Sequence, residues 1–247
     1  MQTDSLYTSM AGLQSITAQM QAVASNLANQ QTPGYAAVQA MTEADNYQGS
    51  NAPAGADATA LTPGPDLTQG GLSHTGDPMN VALGGDAWLE VQTPSGNALT
   101  RDGTLSLSSA GILTDTSGNP ILGTTGQPIS LPALAKLEIG KDGTVSGVPA
   151  SSPGGPAQVY GQINLVATPP GTLTAISGTL YSPPTGATLT ASTNGTLQQG
   201  YINGSNVDPT QSMMQMIDDS RSYQLQTDLM KTQSSSDQSL NTLLAQG

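Results

Sequence analysis

Few side chains in this 247-residue chain have the chemistry to make a catalytic or ligand-binding site, and their spacing can be tested directly. A lone histidine, His74, is the one candidate for a His-based triad, which would also need an orienting acid and a buried pocket. No Cys occurs, which excludes disulfides, thiolate metal ligands and a Cys nucleophile. Gly123-Thr-Thr-Gly126 lacks the Gly-Lys-Ser/Thr continuation of a phosphate-binding loop, and Gly140-Lys141 runs into Asp142. Both therefore read as hairpin turns. The nearest carboxylate pairs, Asp86 with Glu90 and Asp218 with Asp219, read as solvated charges rather than an acid and a base. Asp115, Ser117 and Asn119 alternate in a turn, but no bidentate Glu follows at calcium-loop spacing. Asn194-Gly-Thr and Asn203-Gly-Ser match the glycosylation sequon and also look like turns. No enzyme, metal, cofactor or small-molecule substrate is expected from these residues.

Composition narrows the partners. Lys and Arg number 5 against 17 Asp and Glu, a net charge of −12, and charged residues make up 9 % of the chain. A soluble domain ordinarily carries about 25 %. No Lys or Arg precedes Arg101, so nucleic acid and anionic lipid are poor partners. A surface so short of charge tends to associate. No apolar run approaches the ~20 residues of a spanning helix. The N-terminus lacks a basic n-region, and Gln14, Thr17, Gln19 and Gln21 interrupt any apolar run, so no cleaved signal peptide is expected.

The elements that position these residues differ between the ends and the middle. Leu6, Met10, Leu13, Thr17, Met20, Ala24 and Leu27 follow spacings of four and three, the heptad pattern, and Thr32-Pro33-Gly34 stops that helix. At the other end Asp208-Pro209 starts a helix, with Gln211 three residues after the cap. Met214, Ile217, Leu225, Leu229, Leu240 and Leu243 then form a stripe, joined by Met213, Met216, Tyr223 and Met230. Between the ends, short apolar runs such as Trp88-Leu-Glu-Val91 alternate with turn pairs such as Gly84-Gly85 and Asp102-Gly103. Much of the Gly (29) and Pro (17) falls in these turns and in the stretch after Tyr35.

The expected fold class is α+β: paired long N- and C-terminal helices as a coiled-coil-like core, a central all-β irregular sandwich or barrel, and an extended connector. The expected divisions are helix 1–34, connector 35–75, β domain 76–190, return connector 191–205 and helix 206–247. The helices carry Ser, Thr, Gln and Ala even on their stripes, so as an isolated pair they bury little.

At the first helix stop, Ala24-Ser-Asn-Leu-Ala-Asn29-Gln-Gln-Thr-Pro-Gly-Tyr35 resembles the N-terminal signature of bacterial flagellar rod and hook proteins, N-N-L-A-N-x-x-T-P-G-Y. Gly204-Ser-Asn-Val-Asp208, with Met213, Met216-Ile217, Arg221 and Tyr223, is similar to the family's C-terminal signature. Asp77 to Val91 and Thr100-Arg-Asp-Gly103 resemble its β-domain motifs. The resemblance runs through the whole chain in order. Trp88, the tail from Tyr223 and the short connector place it nearest the proximal-rod members; Ala87 departs from the usual Gly.

The resemblance implies a subunit of a tubular axle that crosses the periplasm in the flagellar basal body. The terminal helices would lie innermost, the axle would transmit torque, and its lumen would pass exported axial proteins. It implies export through the flagellar type III apparatus with the N-terminus uncleaved. The implied partners are copies of itself and other proximal and distal rod subunits, with peptidoglycan and the basal-body rings nearby. A distal-rod or hook-type subunit, or a secreted glycan-binding β protein, is the alternative.

The assembly interface is expected on Leu6, Met10, Leu13, Met20 and Leu27 of the first helix and Met214, Ile217, Leu225, Leu229, Leu240 and Leu243 of the second. An intramolecular hairpin core is the competing use of the same stripes. Asn26 and Asn29 are either helix-end caps or bonds to neighbouring subunits. Pro33, Gly34 and Tyr35 complete the candidate set as a rigid turn.

Overall fold

The computed structural model describes residues 2–46, 56–168, 173–183 and 189–244. The chain divides into two compact units. One holds residues 29–37 and 64–207, and the other holds residues 1–28, 38–63 and 208–247.

The elements begin with α1 (Gln2–Ala28), β1 (Val38–Asn46) and β2 (Ala56–Pro65). There follow β3 (Leu72–His74), β4 (Val81–Gly84), β5 (Trp88–Thr93), β6 (Gly96–Thr100), β7 (Ser106–Leu107) and β8 (Leu113–Thr114). Next come β9 (Leu134–Ile139), β10 (Thr144–Pro149), β11 (Gln158–Gln162), β12 (Leu165–Ala167) and β13 (Thr174–Ser177). The last are β14 (Leu180–Ser182), β15 (Thr190–Ala191), β16 (Thr196–Gln199), β17 (Tyr201–Asn203) and α2 (Pro209–Leu244).

A six-stranded sheet, ordered β13-β14-β6-β5-β12-β15, organises the larger unit. Its central hairpin sets Leu89 opposite Thr100 and Thr93 opposite Gly96. Successive side chains of a strand point to opposite faces, and here both faces are covered. Leu89, Val91, Ala98 and Leu165 pack into a large core with Val81, Leu113, Ile121 and Ile163. Their neighbours in sequence, Trp88, Leu99 and Val166, join Tyr181, Leu173 and Ala36 in a second, smaller core. Glu90 lies among these apolar residues, and its two oxygens accept from Asn97 (2.8 Å) and Asn164 (2.7 Å). A buried carboxylate bonded at both oxygens avoids the cost of desolvation without a partner.

The expected pairing of long terminal helices into a coiled-coil-like core is overturned. The described chain has one N-terminal helix, one C-terminal helix and a mostly β body whose strands fall into six separate sheets. α1 does approach α2, since a Cβ added at Gly12 would lie 3.3 Å from Gln226 Nε2. No seam of heptad side chains closes there: Met10, Met214, Ile217, Leu225 and Leu229 all stand exposed. The physical reason is compositional. A coiled coil needs an unbroken apolar seam, and the α1 stripe is interrupted at Thr17 and Ala24. The stretch expected as an extended connector carries β1 and β2, which pair as a two-stranded sheet. The stretch 191–205 contributes β16 and β17, paired with β4 and β3.

Close approaches fix particular glycines. A Cβ on Gly103 would fall 1.6 Å from the Val81 carbonyl oxygen, inside the contact where the Val81 amide donates to Gly103 (2.9 Å). Gly103→Ala is expected to cost ~2–4 kcal/mol, in the range of substitutions that force a backbone apart. Gly71→Ala, where nothing lies within 4 Å, should stay within about 0.5 kcal/mol. Urea unfolding followed by far-UV circular dichroism compares the two.

Candidate assembly interface

The segment that leaves α1 is anchored in the β body by backbone and amide hydrogen bonds. After the helix, Thr32 N donates to Asn29 O (3.0 Å), Thr32 Oγ1 donates to Asn29 Oδ1 (3.2 Å) and Tyr35 N donates to Thr32 O (3.3 Å). Gly34 sits at φ +69°, and a Cβ there would come within 2.3 Å of the Asp102 nitrogen. Only glycine fits that conformation and that contact.

From Gly34 the chain lies against the segment that closes the β body. Gly34 N donates to Asn203 O (2.9 Å), and Asn206 N donates to Tyr35 O (3.4 Å). Ala37 N donates to Asn206 Oδ1 (2.7 Å). Tyr181 adds a bond from below, with its hydroxyl donating to Ala36 O (3.2 Å) and accepting from Ala36 N (3.3 Å). Thus the N-terminal and C-terminal signature segments meet in space. Asn203, read from sequence as a sequon or turn, is buried. Its amide accepts from Leu83 N (2.7 Å) and donates to Leu83 O (3.0 Å), as a strand residue would.

Beneath this junction lies a cation–aromatic stack. The Arg101 guanidinium stands 4.5 Å from the Trp88 ring centroid, and Tyr181 meets Trp88 edge-on at 5.3 Å. Arg101 also donates to Leu67 O (2.7 Å). Burial lowers the Arg101 pKa from its ordinary value, while the Asp86 carboxylate and Tyr181 oppose that shift. Burial pushes the Tyr181 phenol up to about 12.

In the helix-bearing unit, α2 has two apolar sides. At 3.6 residues per turn, Met213, Met214, Ile217, Leu225 and Leu229 fall on one side, and Met216, Tyr223 and Met230 fall on the other. The second side faces α1: Tyr223 lines a groove of about 350 Å³ with Met10, Leu13, Gln14 and Thr17. The first side is open to solvent, with Met214 57 %, Ile217 53 %, Leu225 66 % and Leu229 64 % exposed. Leu13, Met20 and Leu27 are half-buried, and Met10 is exposed. Asn26 is buried and pairs with one residue at both ends of its amide, donating to Val38 O (2.9 Å) and accepting from Val38 N (2.8 Å). Asn29 and Pro33 are half-buried, while Gly34 and Tyr35 are buried. The side chains of Leu6, Leu240 and Leu243 lie outside the described residues. The expected cap is in place, with Asp208 Oδ1 accepting from Thr210 N (2.8 Å) and Gln211 N (3.2 Å).

The residues tested for chemistry are spent locally. His74 packs edge-on to Tyr201 at 4.8 Å. Asp86 accepts from Ser192 Oγ at 2.5 Å. Asp115 closes its own turn by accepting from Ser117 N (2.9 Å) and Asn119 N (2.8 Å). Among the described residues no three His, Asp or Glu side chains converge on a metal-sized site.

Tyr181, Asn206 and Arg101 escape the sequence-derived interface set. Asn206 and Arg101 do stand in segments that carry the family resemblance. Tyr181 stands in Leu180-Tyr-Ser182, which has no distinguishing signal.

Two family models match. Residues 198–243 match "Flagellar basal body rod FlgEFG protein C-terminal" and residues 82–147 match "Flagellar hook protein FlgE/F/G D1 domain". Flagellar basal-body rod protein FlgF of Salmonella typhimurium is 31 % identical over 97 % of this chain and 98 % of its own length. The FlgF of Escherichia coli is 33 % identical over 90 % of each. Flagellar basal-body rod protein FlgG of Buchnera aphidicola subsp. Schizaphis graminum is 32 % identical over 97 % of this chain and 98 % of its own.

The junction makes a pH prediction. Tyr181 titrates at about 12 in the folded chain, above its ordinary 10. The folded state therefore favours the neutral phenol. Its stabilising contribution is whole below pH 10 and is lost as the pH rises through the folded value. The loss amounts to about 3 kcal/mol for a shift of two units. Tyr181→Phe removes this pH-dependent component, together with ~1–3 kcal/mol of hydrogen bonding at neutral pH. Denaturant midpoints of both proteins between pH 7 and 12 measure it.

Proposed function

This chain belongs to the flagellar basal-body rod protein family, and we propose that it serves as a structural subunit in the proximal part of the rod. There it stacks with copies of itself and with other rod subunits. The observation that carries the interface is the solvent-facing side of α2. Met214, Ile217, Leu225 and Leu229 stand more than half exposed on a helix whose opposite side already faces α1. Four such side chains share one side of the helix with the exposed Asp218, Arg221 and Asp228, an apolar grouping with a charged component. Each of the four apolar side chains is already partly covered, so each contributes ~1–2 kcal/mol when a neighbour covers the rest, before the costs of association.

One face on α2 meeting a different face on the next subunit makes a heterologous contact. Repeated without closing, that contact builds a helical tube. Such a tube fits a shaft that transmits torque and encloses a lumen for exported axial proteins. The near-full-length likeness to FlgF supports the proximal position. The likeness to FlgG, over as much of the chain, supports the shared rod role and makes the distal rod the second reading.

Leu225→Asp and Leu229→Asp are expected to leave the circular dichroism of the purified chain unchanged, because both side chains already face water. Each should abolish incorporation into isolated basal bodies, read by immunoblot, and swimming in soft agar. Wild-type swimming rings with either substitution would sink the interface. Site-specific crosslinking from position 225 in intact basal bodies identifies the neighbours, and a distal-rod partner alone would move the subunit along the shaft.

A further inference from the structure

Asn206 gathers more of the chain than any other polar side chain at the junction. Its Oδ1 accepts from Ala37 N (2.7 Å). Its Nδ2 lies within bonding distance of Asp66 O (3.0 Å), Thr68 O (3.0 Å) and Thr68 Oγ1 (3.1 Å). Its own backbone amide donates to Tyr35 O (3.4 Å), and Asp66 N donates to Ala37 O (2.7 Å). Three segments far apart in sequence, 35–37, 66–68 and 206, are held by one planar amide. Residues 37 and 66 bracket the excursion that holds β1 and β2, and residue 206 stands three positions before α2 begins at Pro209.

We infer that Asn206 is a positioning residue for assembly. It pins the place where the chain leaves the β body toward α1, the place where the β1–β2 excursion leaves and returns, and the place where the chain departs into α2. The bonds of this side chain run to backbone groups of residues 37, 66 and 68 and to the Thr68 hydroxyl, and not to the strands of the central β5–β6 hairpin. Its loss therefore frees the junction and leaves the β body folded. A subunit whose exits are unpinned cannot present its helices in one register to successive neighbours, so assembly fails although the chain is folded.

The isosteric change Asn206→Asp separates this role from simple filling of space. Aspartate keeps the acceptor for Ala37 N, loses the donor, and points a carboxylate at two carbonyl oxygens. Hydrogen exchange on the purified full chain, with amides resolved individually, should show amides 37 and 66 exchanging at least tenfold faster in Asn206→Asp and Asn206→Ala. The β5–β6 amides should keep their protection. Incorporation into basal bodies should fall at least tenfold in both variants. Unchanged exchange at 37 and 66 in Asn206→Asp would overturn the inference. So would an equal rise across β5–β6, which marks global destabilisation, or normal incorporation with the junction opened. The exchange measurement does not depend on the rod role, so failure of the pin and failure of that role give different results.

Discussion

The hydrogen bonds by which residues 203–206 take hold of residues 34–37 are the constraint that the rest of the β body serves. A chain that must return to its own beginning has three common fasteners: disulfides, ion pairs and hydrogen bonds. This one has no Cys, and from residue 143 to residue 207 it has no charged side chain at all. The closure therefore falls to backbone amides and to the short planar amides of Asn203 and Asn206. Asn holds both a donor and an acceptor on one rigid group and can stand in for a missing strand neighbour. Asn203 does so toward Leu83, as Asn26 does toward Val38 at the end of α1. Glycine supplies the clearance. A Cβ on Gly70 would fall 2.0 Å from the Gly204 carbonyl oxygen, just where the returning chain passes.

The second core exists to give that junction a floor. Trp88, Leu99, Val166 and Tyr181 rise from four neighbouring strands of one sheet on the same face, and Ala36 caps them. Arg101 is the costly member, because a buried guanidinium loses its hydration. Carbonyl oxygens, the Trp88 ring and the nearby Asp86 carboxylate offset that loss. Burial favours the neutral form of both groups: it supports the Tyr181 phenol and opposes the Arg101 cation, which the Asp86 carboxylate and Tyr181 help to retain.

Much of this was legible in residue types. Pro209 after Asp208 marked the start of α2, Thr32-Pro33-Gly34 marked the stop after α1, and Trp88-Leu-Glu-Val91 marked a central strand. What stayed hidden depended on contacts between distant residues. The strands β1 and β2 lie in a stretch rich in turn formers, where pairing between segments outweighs local preference. Tyr181 has no local signature; its role comes from Ala36, 145 positions earlier in the chain. The coiled-coil expectation failed for a related reason. Heptad spacing reports which side chains share a face, not whether anything covers that face, and on α2 the residues so grouped were those facing water.

That grouping bears on the two uses read from the stripes, a hairpin core and an assembly surface. Both readings drew on a single stripe on α2, and each could hold in part. The helix instead divides its apolar side chains, with Met216, Tyr223 and Met230 toward α1 and Met214, Ile217, Leu225 and Leu229 away from it. A helix apolar on two sides is unstable as a lone amphipathic element, because no single surface can bury both. Here one side is turned toward α1, and the proposed neighbour would cover the other.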